Sequence, residues 1–453
     1  MTLDPAEFRD AEAAVREANL AFTRRYPGDN DAPQPVHTFI EGAQHFSADV
    51  STRRGEQALR VLQEYAADAA LLGKALGIAN HPSLTTIDAR VRTKLTREPI
   101  EDYRIDFEDG FGVRSDAEED SHVAIVAGEL SRGLKAATLP PSIGVRIKPL
   151  TEELRQRSIR TLDLLLTTMV SADGFPPGWI VTVPKVTVVA QVEYIVAVLR
   201  SLERSLQLPD GLLRFSIMVE VPQVILDASG KSLLPHLLDA SGGRLAGIDF
   251  GTYDYTAACG ITASQQRLRH PACDFAKHML QVAFAGTGIP IADGSTALLP
   301  IPTHPGERSV LSKHQHADNV ASVHAGWAAH FDDVRYSLAG GFYRGWDLHP
   351  AQLVSRYAAV SSFYLEGIDV AGARLKSLLN KAENAATVGG MLDEPATGQG
   401  LLGFFLRAIA AGAITEAVAT EMTGLSSAEL HERSFVKILR RRGVAAADHS
   451  LTQ

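Results

Sequence analysis

The sequence predicts an α/β protein built as a (β/α)8 barrel, with an N-terminal helix, long insertions and a C-terminal helical lid. Three observations predict it. Eight short apolar or β-branched runs recur along the chain, each stopping at Gly, Pro or a polar residue. Longer stretches between them carry apolar residues at three- and four-residue steps, the period of a helix. Polar residues collect where the runs end, which is where a barrel of this kind places its chemistry. Strands alternating with helices imply βαβ units and a parallel sheet. A doubly wound sheet is the competing architecture, but no G-x-G-x-x-G follows the first strand.

In chain order, the first strand is "PVHTFIE" (35–41), and a long connection over 64–102 separates it from the second, "YRIDFED" (103–109). "IGVRIKP" (143–149) and "WIVTVPK" (179–185) are the third and fourth, with the helical "EELRQRSIRTLDLLLTTMV" between them. A second helical stretch, "VVAQVEYIVAVLRSLERSL", leads to "LRFSIMVEVP" (213–222), followed by "LAGIDFG" (245–251) and "IPIADG" (289–294). Another long connection, 294–340, precedes the eighth strand in "GFYRGWDLHP" (341–350). After Pro350 the chain reads as helical, with a break at "TVGGMLDEPATGQG" (387–400) and a basic run "KILRRRG" near its end. The last ~10 residues read as a frayed terminus. The resulting division is an N-terminal helical extension over 1–30, a barrel over 31–355 and a helical lid or extension over 356–453.

Composition bounds the function. The 453 residues carry 45% hydrophobic and 21% charged side chains, ordinary for a globular protein with a sizeable core. A net charge of −9 argues against a nucleic-acid binder, which needs a basic face. The two cysteines, Cys259 and Cys273, form no disulfide framework and suit a reducing compartment. The charged N-terminus has no apolar signal core, and no run approaches the ~18 apolar residues that span a bilayer. The expectation is a cytoplasmic protein with no membrane partner.

The strand ends supply the candidate site. Glu220 ends the "FSIMV" strand and Asp254 follows the next one in a Gly-Thr-Tyr-Asp turn. Neighbouring strands lie about 5 Å apart, so two such carboxylates can converge on one hard cation. For a single strand-end acid, capping a helix or pairing with a surface cation is the better reading. Two on adjacent strands, with Arg146 and Lys185 elsewhere on the rim, favour a site. Arg146 ends its own strand, where unpaired charge is costly to bury. It reads as a bidentate clamp on a substrate carboxylate or oxo group, or as an ion-pair partner of Glu108 or Asp109.

The set "IDFEDG", "VRIKP", "VPKV", "MVEVPQ", "FGTYDYTAA", "IADG", "WDLHPAQL" and "GGMLDEP" occurs in the strand order of one family. The chain resembles the HpcH/HpaI aldolase and citrate lyase β-subunit-like group, which includes malyl-CoA lyases and belongs to the phosphoenolpyruvate/pyruvate TIM-barrel superfamily. The match runs from about residue 35 to about residue 410. Any one motif is weak, whereas eight in order are specific. The resemblance implies a Mg²⁺-dependent TIM-barrel lyase, with Mn²⁺ as the alternative ion, that makes or breaks a carbon–carbon bond beside a carboxylate. It implies Glu220 and Asp254 as direct metal ligands, with Glu108 and Asp109 holding waters around the metal. Arg146 would bind the substrate carboxylate or oxo oxygen. Asp393, in "MLDEP", would serve as acid or base from a neighbouring subunit's lid, so a homo-oligomer (dimer, trimer or hexamer) is expected. Lys185 would then be an electrostatic or substrate contact rather than a nucleophile, with a salt bridge to a rim acid the competing reading. His349 reads as a structural loop residue.

Two departures from the family pattern narrow the substrate. Citrate lyase-like members begin the first strand with an Arg-Ser pair whose basic residue contacts CoA, and "QPVHTFIEGAQ" has no Arg there. HpaI-type aldolases carry a His after the second strand, where this chain has the acidic "EDG". The leading function is therefore a Mg²⁺-dependent lyase or aldolase acting on a small 2-oxo or hydroxy carboxylate. CoA use stays open: the alternative is a CoA-thioester lyase, synthase or thioesterase. A non-catalytic metabolite-binding barrel is the reading from another class. The histidines His304, His314, His316, His324 and His330 lack the spacing and backing carboxylates of a metal site and read as a solvated insertion. Cys259 reads as packed core. The repeated acids of the two "IDF" strings, Asp106 and Asp249, are assigned no role.

Overall fold

The computed structural model describes residues 5–28, 34–172, 174–306, 308–380, 386–388, 391–393 and 395–442. The tail expected to fray lies outside the described residues. The eight barrel strands are β1 (His37–Gly42), β2 (Asp102–Asp106), β3 (Ser142–Arg146), β4 (Ile180–Val183), β5 (Arg214–Val219), β6 (Leu245–Phe250), β7 (Ile291–Ser295) and β8 (Arg344–Asp347). They form a closed barrel in chain order. Each overlaps one of the runs expected from sequence. β1 runs parallel to both β2 and β8, and β4 through β7 run parallel to one another.

The two long connections are largely helical. The first contains helices Ala69–Ala75 and Leu84–Arg97, and the second contains Lys313–Ala339. After β8 come the helix Gln352–Asn380, a short antiparallel pair β9 (Ala386–Val388) and β10 (Met391–Asp393), and four further helices from Pro395–Ala410 to Phe435–Arg441. Arg9–Arg25 is the N-terminal helix. Among the described residues no helix is long and apolar enough to cross a membrane.

The chain divides into two compact units. One comprises 1–32, 146–163 and 180–293; the other comprises 33–145, 164–179 and 294–453. The second unit holds the seam where the first and last strands meet. Phe39 of β1 lies opposite Asp347 of β8 in the register. Asp347 is fully buried, and a carboxylate in that position needs partners. Arg356, one turn into the helix Gln352–Asn380, grips it through Nε at 3.1 Å and Nη2 at 2.7 Å. His330 Nε2 of the helix Lys313–Ala339 lies 3.0 Å from one carboxylate oxygen, and His37 Nδ1 of β1 lies 3.2 Å from the other. The backbone N–H of Glu101 donates to His37 Nε2, so the proton of a neutral His37 ring sits on Nδ1, toward Asp347.

His330 therefore corrects one expectation. It does not belong to a solvated stretch. The helix that carries it buries Val323, Trp327, Phe331 and Val334, and His330 shares that buried face.

Burial alone would raise the Asp347 carboxyl. The Arg356 guanidinium and the two imidazoles more than offset this and hold it well below the usual carboxylate range. Burial pushes the His330 imidazole below its ordinary value despite the pull of Asp347. Both shifts have the same consequence for stability. Each group takes up its proton more readily in the unfolded chain, so acid favours unfolding, through His330 below about pH 6.5 and through Asp347 below about pH 4. Melting temperature measured against pH should thus fall as pH drops below about 6.5, with a shallower fall in His330→Asn. Asp347→Asn, which leaves Arg356 buried without its counter-charge, should lose roughly 3 kcal/mol or more in urea titrations at pH 7.5.

Candidate active site

The first unit brings together four of the residues singled out from sequence. β5 ends at Val219, and Glu220 follows directly. Its neighbour β6 ends at Phe250, paired with Val219, so Gly251 falls beside Glu220. Gly251 is glycine for a packing reason. A Cβ there would sit 2.2 Å from Glu220 Cγ and 2.5 Å from Glu220 Oε1. The Glu220 side chain lies in the space that a larger residue would fill, and it is buried.

On its other side Glu220 is fixed by β4. The chain leaves β4 through Pro184, and the Lys185 backbone takes φ +49°, a left-handed conformation that costs a non-glycine residue about 1 kcal/mol. This turn aims the Lys185 N–H at Glu220 Oε2, 2.7 Å away. The same residue's ammonium lies 3.6 Å from Asp254 Oδ2, in the first turn of the short helix Thr252–Ala258. Lys185 thus touches both proposed metal ligands, one through its backbone and one through its side chain. With Asp254 side-chain exposure at 45%, the ammonium–carboxylate pair is worth little to stability.

Arg146 ends β3 and is buried. Its Nη1 lies 3.8 Å from Met218 Sδ on β5, two strands away. Side chains alternate along a strand, so Met218 and Glu220 occupy one face of the β5 line. The buried Asp249 of β6, paired with Met218, faces the same way. The sequence reading gave Asp249 no role; only strand register places it on the face that Arg146 reaches.

Asp293 of β7 is different. It lies 3.2 Å from Nζ of the buried Lys277, on the helix Pro271–Phe284. Its ion pair joins strand to helix, and Asp274 adds a second carboxylate at 3.4 Å from the same ammonium.

In the second unit, the "FEDG" turn after β2 is built by the acid before it. Asp106 Oδ1 accepts from the Glu108 N–H at 2.9 Å, and Oδ2 accepts from the Gly110 N–H at 2.6 Å. Glu108 is buried and Asp109 exposed. Asp393 ends β10, where its backbone pairs with Ala386; its side chain lies outside what the structure describes. His349 follows β8, and its Nδ1 accepts from the Ala351 N–H at 3.2 Å, a loop role. Cys259 is exposed rather than packed in the core, and Cys273 is the buried thiol. The histidines of the second connection are dispersed. His304 and His314 each reach Asp318 at 3.0 Å, His324 lies 2.8 Å from the Tyr65 carbonyl, and His316 stacks on Tyr65.

Among the described residues no group of three or more His, Cys, Asp or Glu side chains is arranged to hold a metal ion. Mg²⁺ needs fewer, since it binds through one or two carboxylates and keeps several waters. The pair Glu220 and Asp254 fits that requirement. Gly251 admits the Glu220 side chain to this position between β5 and β6. Lys185 Nζ, close to Asp254, marks where positive charge is already favoured.

A family model covers residues 15–438, nearly the whole chain. The chain belongs to the DUF6986 family, described as a domain of unknown function. No curated protein matches it. Among solved structures, the DUF6986 chain is similar to a citrate lyase from Burkholderia xenovorans LB400, at 17% identity and a TM-score of 0.55, over 87% of this chain and 98% of the other. A malate synthase from Haloferax volcanii aligns at 14% identity and a TM-score of 0.46, over 90% and 98% of the two chains. At 17% identity the likeness to the citrate lyase is one of fold.

The cradle at Glu220 can be tested in this DUF6986 member without reference to activity. Gly251→Ala should displace the Glu220 side chain and lower stability by roughly 1–3 kcal/mol in urea titrations. Gly251 has φ −99°, which alanine adopts without strain, so the loss reports the clash with Glu220 rather than the backbone.

Proposed function

We propose that this protein is a Mg²⁺-dependent carbon–carbon lyase or aldolase acting on a small 2-oxo or hydroxy carboxylate. One observation carries the reading. Two carboxylates on adjacent strand ends, Glu220 and Asp254, meet at a single residue, Lys185, whose strained backbone and side chain address one each. Strain of this kind concentrates where chemistry is done. The ordered motifs of the HpcH/HpaI and citrate lyase β-like resemblance support the same assignment.

Bound at Glu220 and Asp254, Mg²⁺ would supply Lewis acidity toward oxygen, lowering the cost of negative charge on the substrate. The chain's own residues do the rest. Arg146 presents paired N–H donors that hold a carboxylate in a fixed plane. Breaking a carbon–carbon bond next to an alkoxide leaves charge on oxygen, and a buried guanidinium stabilises that charge better than an exposed one. Lys185 orients Glu220 through its N–H, and its ammonium adds positive charge at the rim. No covalent lysine adduct is required. Asp393, on the short β9–β10 hairpin, is the proposed acid or base, acting on a neighbouring subunit's barrel in a homo-oligomer.

β1 supports a free acid over a CoA thioester. His37 is the only basic residue in His37–Gly42, and it is buried against Asp347. The test is a screen of 2-oxo and hydroxy acids, with and without Mg²⁺, for cleavage or condensation, with acetyl-CoA as a separate arm. Turnover that needs Mg²⁺ is expected, and Glu220→Gln, Asp254→Asn and Arg146→Gln should each lose roughly a hundredfold or more in kcat/KM. Full turnover after exhaustive chelation, or unchanged Mn²⁺ binding in both carboxylate variants, would sink the reading. Turnover only with acetyl-CoA would move the substrate to the thioester class.

A further inference from the structure

The helix Leu84–Arg97 lies in the first long connection, which has no role in the proposed chemistry. Its inner face is apolar, with Ile87, Val91 and Leu95 buried. Arg90, Lys94 and Arg97 follow one another at four- and three-residue steps, so they share a second face. That face borders a cavity of 590 Å³, closed on its far side by Tyr357 and Val360 of the helix Gln352–Asn380 and by the turn at Ala411 and Gly412. This volume is in the range of sites that hold a small organic molecule.

The charges in this cavity are not balanced by the protein. Lys94 is engaged: it contacts Glu98, lies 2.7 Å from Glu101 and sits over the Tyr357 ring. The side chains of Arg90 and Arg97 make no hydrogen bond or ion pair with any described residue. Arg90 Nη1 is shielded from solvent all the same. A guanidinium N–H that loses water and gains no acceptor is costly, and burial pulls the Arg90 group below its ordinary value. By contrast Arg92, on the same helix, pairs with Asp88 at 2.9 Å and donates to the Ala67 carbonyl. The helix satisfies its structural arginine and leaves two others facing a cavity.

We propose that this cavity is a second binding site, taking a small organic anion whose phosphate or carboxylate is held by Arg90 and Arg97 and whose compact apolar body lies against Tyr357 and Val360. None of the residues lining it is a strand-end site residue. The helix runs through Pro99 into the N-terminal end of β2, where the Tyr357 hydroxyl donates to the Pro99 carbonyl at 2.9 Å. Glu108 lies past the opposite end of that strand, roughly 15–20 Å away by strand rise. An anion here would tie the helix after β8 to the helix before β2.

The experiment is calorimetric titration of the full-length protein with phenyl phosphate, benzoate and inorganic phosphate, with phenol as the uncharged control. Saturable binding of phenyl phosphate is expected, or of benzoate if the natural ligand is a carboxylate. Arg90→Gln and Arg97→Gln should weaken it roughly tenfold or more, and Arg146→Gln should leave it unchanged. Because Arg97 is exposed, its variant keeps the fold, which a melting curve checks. The proposal is overturned if no anion binds saturably, if both variants bind as the wild type does, or if Arg146→Gln alone abolishes binding.

Discussion

The barrel closes on one buried carboxylate. Asp347 sits at the end of the last strand, beside the first; it accepts from Arg356 and lies within 3.2 Å of ring nitrogens of His37 on β1 and His330 on a second helix. An ion in that position is worth keeping only if every partner is in place, because the desolvation of each charge must be offset by geometry. That makes Asp347 a registry device: β8, β1 and the helices Lys313–Ala339 and Gln352–Asn380 satisfy it in one arrangement. The second long connection is held to β8 through the same group, which gives it a structural purpose.

The strand-end site follows a different logic. Its central carboxylate is positioned by backbone and by missing atoms. Lys185 N–H holds one oxygen of Glu220 while the absent Cβ of Gly251 makes room for the other. Both devices depend on register between β4, β5 and β6, since a slip of one residue would present a different side chain to the same space. The left-handed Lys185 is the local cost of this arrangement, and it is stored where the two carboxylates meet. Arg146 reaches the same face from β3, where its Nη1 lies 3.8 Å from the Met218 thioether.

The helix Leu84–Arg97 shows how a single element can serve three surfaces. Apolar residues build the core, Arg92, steadied by Asp88, fastens the helix to the carbonyls of the chain before it, and Arg90 with Arg97 faces a cavity. Spacing alone separates these sets, since each recurs at three or four residues and so keeps to its own stripe.

Much of this was legible in the sequence. The eight strands were marked because a buried parallel strand must be a short apolar run, and its end must be punctuated by turn residues. The acids and Arg146 were legible as candidates because charge at a strand end needs a reason. Other features were decided only by the tertiary structure. Asp249 gained significance through its register with Met218, and Asp106 proved to be the acid that folds the "FEDG" turn through two backbone N–H groups. His330 looked solvated within a polar stretch, yet helix packing buried it against a carboxylate seventeen residues on, at Asp347. Periodicity records which residues share a face of their own element. What that face meets depends on contacts between residues far apart in the chain, and no local pattern encodes those.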